Sequence, residues 1–345
     1  MSSPAKVLVV RNDRLGDFML AFPTFLLLKR ALPDTAIHAL VPAYTREMAL
    51  CCAGIDAIEL DPGPQAPAAE QFALLRRLRQ ARYDAVLTLF STTRIGWLTA
   101  AARIPYRLAP ATKIAQLFYN RRLTQRRSQS AKPEFIYNLD LGMKLLADHG
   151  IADPAPPNPP YLRFAETDVA TVRSEFCRTR GIAPSDRLIF IHPGSGGSAN
   201  NLSVYQYARL VQSLRAARPA TFVITAGPGE EANAARLEML TEGLPRTVYH
   251  SRQGLRRFAE HIQFADLFIS GSTGPLHIAG ALDRPTAAFY TRRRSATSLR
   301  WQTLNRPERR LAFSPPDTAA EEDMSAVDVT AAAARINQRF LRSDW

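Results

Sequence analysis

The chain has 345 residues, 46% hydrophobic and 22% charged, the profile of a folded protein of about two domains and not of a disordered or fibrous one. Lysine and arginine number 44 against 31 acidic residues, and the net charge of +13 calls for an anionic partner: nucleic acid, a lipid surface or a phosphorylated small molecule. The longest apolar stretch, Phe18 to Leu28, is far short of the ~20 residues of a membrane span and contains Pro23, and no signal-peptide core precedes Arg11 and Asp13, so a cytoplasmic location is expected.

In chain order, residues 6–10 read as a buried strand, 18–32 as a helix containing Pro23, and 35–41 as a second strand. A helix over 71–82 and a strand over 83–90 follow. Between residue 90 and residue 153 the pattern assigns no element, but the charge is distinctive. Residues 85–133 hold no Asp or Glu and nine Lys or Arg, among them Arg121, Arg122, Arg126 and Arg127. A second basic cluster runs from Arg292 to Arg310. Five prolines within 153–160 make a stiff, extended linker.

Beyond it the alternation resumes. Helices are expected at 167–180, 204–215, 231–241, 255–264 and 274–282, and strands at 188–192, 221–225, 247–250, 267–270 and 285–290. Residues 326–341 read as a C-terminal helix. Strands alternating with helices argue for βαβ units and parallel sheets. The expected architecture is two doubly wound α/β domains, 1–152 and 163–325, joined by the linker 153–162. In such folds ligands sit outside the carboxyl ends of the strands, and a cleft between two domains is the default site. Cys51, Cys52 and Cys177 show no metal or disulfide spacing and read as reduced thiols.

Three loops carry chemistry. Arg11-Asn-Asp-Arg-Leu-Gly-Asp17 follows the first strand. An Asp at such a junction is ordinarily an N-cap or a surface charge. Held beside Arg11 and Arg14 it would serve as a general base toward a sugar hydroxyl, and position alone does not choose between Asp13 and Asp17. The second loop runs from His192 to Asn201 and includes Ser195, Gly196, Gly197 and Asn200. It reads as a phosphate cradle or as a tight turn needing glycine at positive φ. Its match to GxGxxA (Gly194, Gly196, Ala199) is discounted, because the next strand runs into Ala226-Gly-Pro-Gly229 with no acid to take a ribose. The third loop, Ser270 to Ala279, ends a strand in Ser, Thr and Gly and opens an apolar helix with Pro275. Ser272, Thr273 and His277 would face an anion there, although N-capping alone would explain the hydroxyls.

Together these motifs resemble glycosyltransferase family 9, the lipopolysaccharide heptosyltransferases. The resemblance rests on Arg-x-x-x-Leu-Gly-Asp (Arg11 to Asp17) with Pro23, His-Pro-Gly-Ser-Gly-Gly (192–197), Ala226-Gly-Pro-Gly-Glu230 and Ser-Thr-Gly-Pro-Leu-His (272–277), in the family's order and spacing. It covers nearly the whole chain, with low specificity between Asp61 and Lys132. It implies an α/β GT-B fold: two Rossmann-like doubly wound parallel-sheet domains facing a central cleft, with a C-terminal helix (326–345) returning to the first domain. It also implies an inverting, metal-independent transfer with Asp17 as base. No cofactor is expected, the nucleotide-sugar donor, ADP-linked, being a substrate. Ser195, Gly196, Gly197, Asn200, Gly227, Glu230, Ser272, Thr273, Gly274, Pro275 and His277 would bind that donor. Arg11, Arg14, Arg121, Arg122, Arg126 and Arg127 would meet an anionic lipopolysaccharide-core or other envelope saccharide, with peripheral contact to the inner-membrane surface. Loop N–H groups and a helix dipole would stabilise the leaving diphosphate, and the chain has no Asp-x-Asp.

Two positions depart from the family pattern. Asn200 stands where members often carry lysine, and Ser272 where they commonly carry aspartate. These changes point to a different sugar, a rearranged donor site or a weakly active homologue. A nucleotide-sugar epimerase or hydrolase on the same scaffold is the alternative. Nucleic-acid binding is set aside, since no helix-turn-helix or RNA-binding signature accompanies the basic residues.

Overall fold

The structure is a computed structural model that describes residues 3–195 and 200–342. The chain divides into two compact units, Met1–Leu162 and Arg163–Trp345. The first contains, in order, β1 (Lys6–Val10), α1 (Leu15–Met19), α2 (Phe22–Ala31), β2 (Ala36–Pro42), α3 (Arg46–Leu50), β3 (Ala57–Asp61), α4 (Ala68–Ala81), β4 (Ala85–Thr88), α5 (Thr93–Ala101), β5 (Tyr106–Pro110), β6 (Arg121–Leu123) and α6 (Glu134–Asp148). Its six strands are parallel in the order β3-β2-β1-β4-β5-β6. Val7, Leu8, Val9 and Val10 are fully buried, as expected of a central parallel strand covered on both faces.

The expected helix 18–32 is two helices. Proline lacks the N–H that a helix interior needs but fits the first turn, so α2 starts at Phe22 with Pro23 in that turn. The segment without expected elements supplies α5, β5, β6 and α6, and β3 also escaped the pattern. Helix α6 buries Glu134 and Asn138 on the same side as Tyr137, Leu141 and Leu145, and these two polar residues break its apolar stripe.

The second unit contains α7 (Glu166–Arg180), β7 (Arg187–His192), α8 (Val204–Ser213), β8 (Ala220–Ala226), α9 (Glu231–Leu240), β9 (Arg246–His250), α10 (Gly254–Gln263), β10 (Leu267–Gly271), α11 (Gly274–Ala281), β11 (Thr286–Phe289), β12 (Arg310–Phe313) and α12 (Val329–Ile336). Its parallel sheet runs β12-β11-β10-β7-β8-β9. Counted within each unit, both sheets have the Rossmann strand order, which reverses direction once and leaves a crevice there. The switch point lies between β1 and β4 in the first unit and between β7 and β10 in the second. The loops singled out in the sequence leave β1, β7 and β10.

The C-terminal segment, expected as a helix returning to the first domain, buries its apolar stripe in the second unit. Ala332, Ala333, Ile336, Phe340 and Leu341 join the core that contains Leu210 and Val211 of α8. Asn337 accepts from the Arg215 N–H at 2.8 Å and donates to the Ser213 carbonyl at 3.1 Å. The Leu341 carbonyl accepts from the Ala217 N–H at 2.9 Å. The single helix expected over 326–341 is α12 followed by a wider turn over Asn337–Leu341. Cys52 and Cys177 are buried and Cys51 half-buried. Among the described residues, no helix is long and apolar enough to cross a membrane.

Asp328 caps α12, its carboxylate accepting from the Thr330 and Ala331 N–H groups at 2.9 Å each. Asp328→Ala is expected to cost about 0.5–2 kcal/mol. That corresponds to a melting temperature lower by roughly 2–4 °C per kcal/mol. Hydrogen exchange should quicken first over 329–341; an unchanged melting curve would mean that the cap contributes nothing.

Candidate active site

Arg11 leaves β1 at the first switch point and is 1% exposed. Its guanidinium is shared by three carboxylates: Nε lies 2.8 Å from Asp13, Nη2 2.5 Å from Asp17 and Nη1 2.9 Å from Glu134. Nη1 also donates to Asn138 Oδ1 at 3.2 Å. Glu134 accepts a second bond, from Arg127 Nη1 at 2.8 Å, and the same nitrogen donates to the Leu89 carbonyl at 3.0 Å. Asn138 donates to the Leu20 carbonyl at 3.2 Å. Two buried polar residues of α6 therefore tie the ends of β1 and β4 to the turn between α1 and α2.

Charges this deep persist only when paired, and the pairing is unequal. Burial is the largest influence on Asp17 and disfavours its charged form. Arg11 pulls the other way, while Asp13 and Glu134 add repulsion, and the carboxyl is pushed up to about 7. Burial also raises Asp13 above the ordinary carboxylate range, against the pull of Arg11. For Arg11, burial alone would weaken the charge, but the three carboxylates more than reverse it and hold the guanidinium above its usual value. A carboxyl that titrates near neutrality and keeps 14% of its surface open is suited to accept a proton.

The six arginines expected on the acceptor separate. Arg11 is committed to the buried cluster, with Nη2 2.5 Å from Asp17. Arg127 turns inward to Glu134. Arg14, Arg121, Arg122 and Arg126 are exposed. Sequence reasoning missed Glu134 and Asn138, whose only trace was the interrupted helical period of 134–148. It also missed Asp61 at the end of β3, which accepts from Asn12 Nδ2 and from Arg94 Nη2, the latter at 2.5 Å, within the same rim of loops.

In the second unit, the β7 loop holds Gly194 and Ser195, while Gly196 and Gly197 lie outside the described residues. Gly194 does not take positive φ. A Cβ there would meet the Glu230 carboxylate as it now lies. Glu230 in turn accepts from the Gly227 N–H at 2.9 Å and lies 3.5 Å from His192 Nε2. Burial holds His192 below the usual imidazole range despite that carboxylate, and its Nδ1 is 3.0 Å from Thr225 Oγ1. Glu230 thus braces the loops that follow β7 and β8.

Asn200 is exposed, and its neighbour Asn201 does the clamping. Asn201 donates to the Pro193 and Gly194 carbonyls at 3.2 and 3.0 Å, and accepts from the Leu202 N–H at 2.9 Å and the Tyr207 hydroxyl at 2.7 Å. Its side chain fills the space that a Cβ at Gly271 would need. At the third loop, Thr273 is 4% exposed, with its hydroxyl 3.0 Å from Ser270 Oγ. Ser272, Gly274 and Pro275 are half-buried, and Pro275 sits in the first turn of α11. The first N–H groups of a helix lack intrahelical partners and favour an anion. His277 is buried beneath this turn, pushed down to about 4 by burial, so it is a neutral ring at pH 7. Its Nδ1 makes no hydrogen bond among the described residues.

Two measurements probe the first cluster. Glu134→Gln removes one of the carboxylates that raise Asp17, so Asp17 should release its proton at lower pH, with a midpoint below 7 in a carboxyl-detected NMR titration. A midpoint at or above 7 would show that Glu134 does not set this titration. Arg11→Met should cost about 3–5 kcal/mol in denaturant unfolding, because the buried carboxylates lose their shared counter-ion.

The family model for glycosyltransferase family 9 (heptosyltransferase) matches residues 71–308. A candidate glycosyltransferase of Haemophilus influenzae is 40% identical over 341 residues, covering 99% of this chain and 98% of its own length. Lipopolysaccharide heptosyltransferase 2 of Salmonella typhimurium is 24% identical over 297 residues, covering 83% and 82%. The solved structure of E. coli ADP-heptose lipopolysaccharide heptosyltransferase II aligns with a TM-score of 0.76 at 16% identity, covering 99% of this chain and 100% of that one. At that identity the likeness is one of fold, and the two Rossmann-like sheets are those of a GT-B protein. With the arginine–aspartate loop, the two glycine-bearing loops and these relatives together, the chain belongs to glycosyltransferase family 9 and is a glycosyltransferase.

Proposed function

We propose that the protein is an inverting, metal-independent enzyme that moves heptose or a related sugar from an ADP-linked donor to an anionic acceptor of the lipopolysaccharide-core type. The observation that carries this reading is Asp17, a carboxyl raised to about 7 at the switch point of the first unit and oriented by a buried arginine. An acceptor hydroxyl gives its proton to Asp17 as its oxygen attacks the anomeric carbon. The bond from that carbon to the diphosphate breaks, and its electron pair leaves with the nucleoside diphosphate. The β7 loop and the first turn of α11 meet the new charge with N–H groups and the helix dipole. Ser272 and Thr273 add hydroxyls at the same turn, while Arg14 offers a positive charge on the acceptor side. The relatives named above support the sugar and the acceptor class. Asn200 and Ser272, without the lysine and aspartate common in the family, favour a sugar related to heptose.

Asp17→Asn should keep the fold and donor binding but lower kcat by about 10²- to 10⁴-fold. In the unaltered enzyme, kcat/KM should rise with pH through about 7, because the base acts only once deprotonated, and this limb should vanish in the variant. Near-normal turnover by Asp17→Asn would remove Asp17 from the reaction and leave Asp13 as the base. Transfer should survive excess EDTA; loss on chelation with recovery on adding Mg²⁺ or Mn²⁺ would refute the metal-independent account. In a thermal-shift panel of ADP-, UDP-, GDP- and dTDP-sugars, the ADP-sugar should stabilise most, by about 2.7 kcal/mol at a hundredfold excess over Kd.

A further inference from the structure

Among the described residues of the first unit, Tyr44, Phe72, Phe90 and Trp97 present rings to solvent, and two of them touch the Arg11 cluster. Tyr44, 56% exposed, follows β2, and Phe90, 45% exposed, follows β4. Those strands lie on either side of β1, so the two rings flank the loop that carries Asp17. The Tyr44 hydroxyl donates to the Asp13 carbonyl at 2.5 Å. Partial burial, with the charges of Asp13 and Asp17 nearby, holds its phenol above the usual range. On the other side, the Arg11 guanidinium that pairs with Asp17 lies 6.0 Å from the centre of the Phe90 ring.

Both rings are held in place. Leu89, just before Phe90, is buried, donates to the Val10 carbonyl and accepts from Arg127 Nη1, each at 3.0 Å. Just after Phe90, Ser91 Oγ lies 2.8 Å from Thr112 Oγ1. Thr45, beside Tyr44, is buried and donates to the Pro42 carbonyl at 3.0 Å. A fixed aromatic surface left open beside a proton-accepting carboxyl restricts what it can take. The surplus of carboxylates in the cluster disfavours an anion. A nucleobase would stack on such rings but brings no alcohol to Asp17. A pyranose meets both demands. One face of its ring is made of C–H groups, which are drawn to the electron-rich face of an aromatic ring, and its hydroxyls project from the edge.

We propose that Phe90 and Tyr44 form a stacking subsite for the acceptor sugar. The C–H face of an uncharged pyranose lies on the open Phe90 ring, Tyr44 borders it, and one ring hydroxyl is turned toward Asp17. The inference rests on the transfer chemistry proposed above and adds which part of the acceptor is recognised beside the base: a neutral ring, with any phosphate or acid group held away from the aspartates. Phe90 and Tyr44 thereby determine specificity, because the way the sugar lies on them selects the hydroxyl that attacks.

The test uses the full chain, with the core oligosaccharide of lipopolysaccharide, freed of its lipid, as the probe. In saturation-transfer NMR, irradiating the aromatic protons should mark the C–H protons of one sugar ring. The mark should fall away in Phe90→Leu, which keeps an apolar side chain and removes the π face. In turnover, Phe90→Leu should raise the acceptor KM about fivefold and change kcat less. Phe90→Tyr should recover most of that loss, and Tyr44→Ala should lose more than Tyr44→Phe. The limb of kcat/KM near pH 7 should persist in each, since Asp17 is untouched. A near-normal melting temperature checks that the variants fold, and the marking in the unaltered chain carries the test if one does not. Equal marking in Phe90→Leu, a fall in kcat at unchanged KM, or Phe90-dependent marking of the adenine of ADP in place of the sugar would overturn the proposal. Turnover of the oligosaccharide without Phe90-dependent marking strikes the subsite and leaves the transfer reading standing. Marking that persists beside near-normal turnover by Asp17→Asn supports the subsite and removes the base. Neither binding nor turnover of this probe would overturn the subsite and the acceptor class together.

Discussion

One guanidinium holding three carboxylates organises the first unit. Arg11 is out of reach of water, so its charge is tolerable only because Asp13, Asp17 and Glu134 surround it, and theirs because Arg11 lies among them and Arg127 adds a second partner to Glu134. Two arginines do not neutralise three acids, and burial with the remaining repulsion pushes the Asp17 carboxyl up to about 7. Structural pairing and chemical readiness come from the same set of contacts. Helix α6, distant in sequence from the β1 loop, supplies Glu134 and Asn138, which hold the Arg11 guanidinium from behind.

The second unit solves a different problem with the same strand order. An anionic ligand there would be met by backbone N–H groups, so the loops must present bare backbone and stay in place. Glycine at 194 and 271 clears room for the Glu230 and Asn201 side chains, which bind loop amides and carbonyls from beneath. The two imidazoles of this region, His192 and His277, are buried and held below the usual imidazole range. One Rossmann-type frame thus carries a buried arginine with three carboxylates at one switch point, and loops held by Glu230 and Asn201 at the other.

The alternation of strand and helix, the parallel sheets and the proline-rich junction were legible in the sequence, because burial on both faces leaves unbroken apolar strands and proline leaves few choices. That the chain turns into loops after β1, β7 and β10 was legible too, since glycine, serine and charge at a strand end are local signals. What escaped detection depends on partners far along the chain. Glu134 looks like a surface residue until it is placed 123 positions away against Arg11. Gly194 reads as a turn glycine, yet its φ is not positive and its neighbour is a carboxylate from another loop. That the C-terminal helix packs on α8 was not legible, because an apolar stripe states that it will be buried and not against what.

The seating of α12 bears on the order in which the protein can assemble. Every strand and helix of the first unit is made by Asp148, and its sheet and buried ionic cluster need nothing synthesised later. The second core is different: Phe340 and Leu341 pack into it, and the Phe340 carbonyl accepts from Arg187, the residue that opens its central strand. A growing chain therefore carries a finished first unit while the sheet of the second still lacks one covering helix, its apolar face open to water. That interval, between the last strand and the last helix, is when this protein is most exposed to aggregation and most in need of a chaperone.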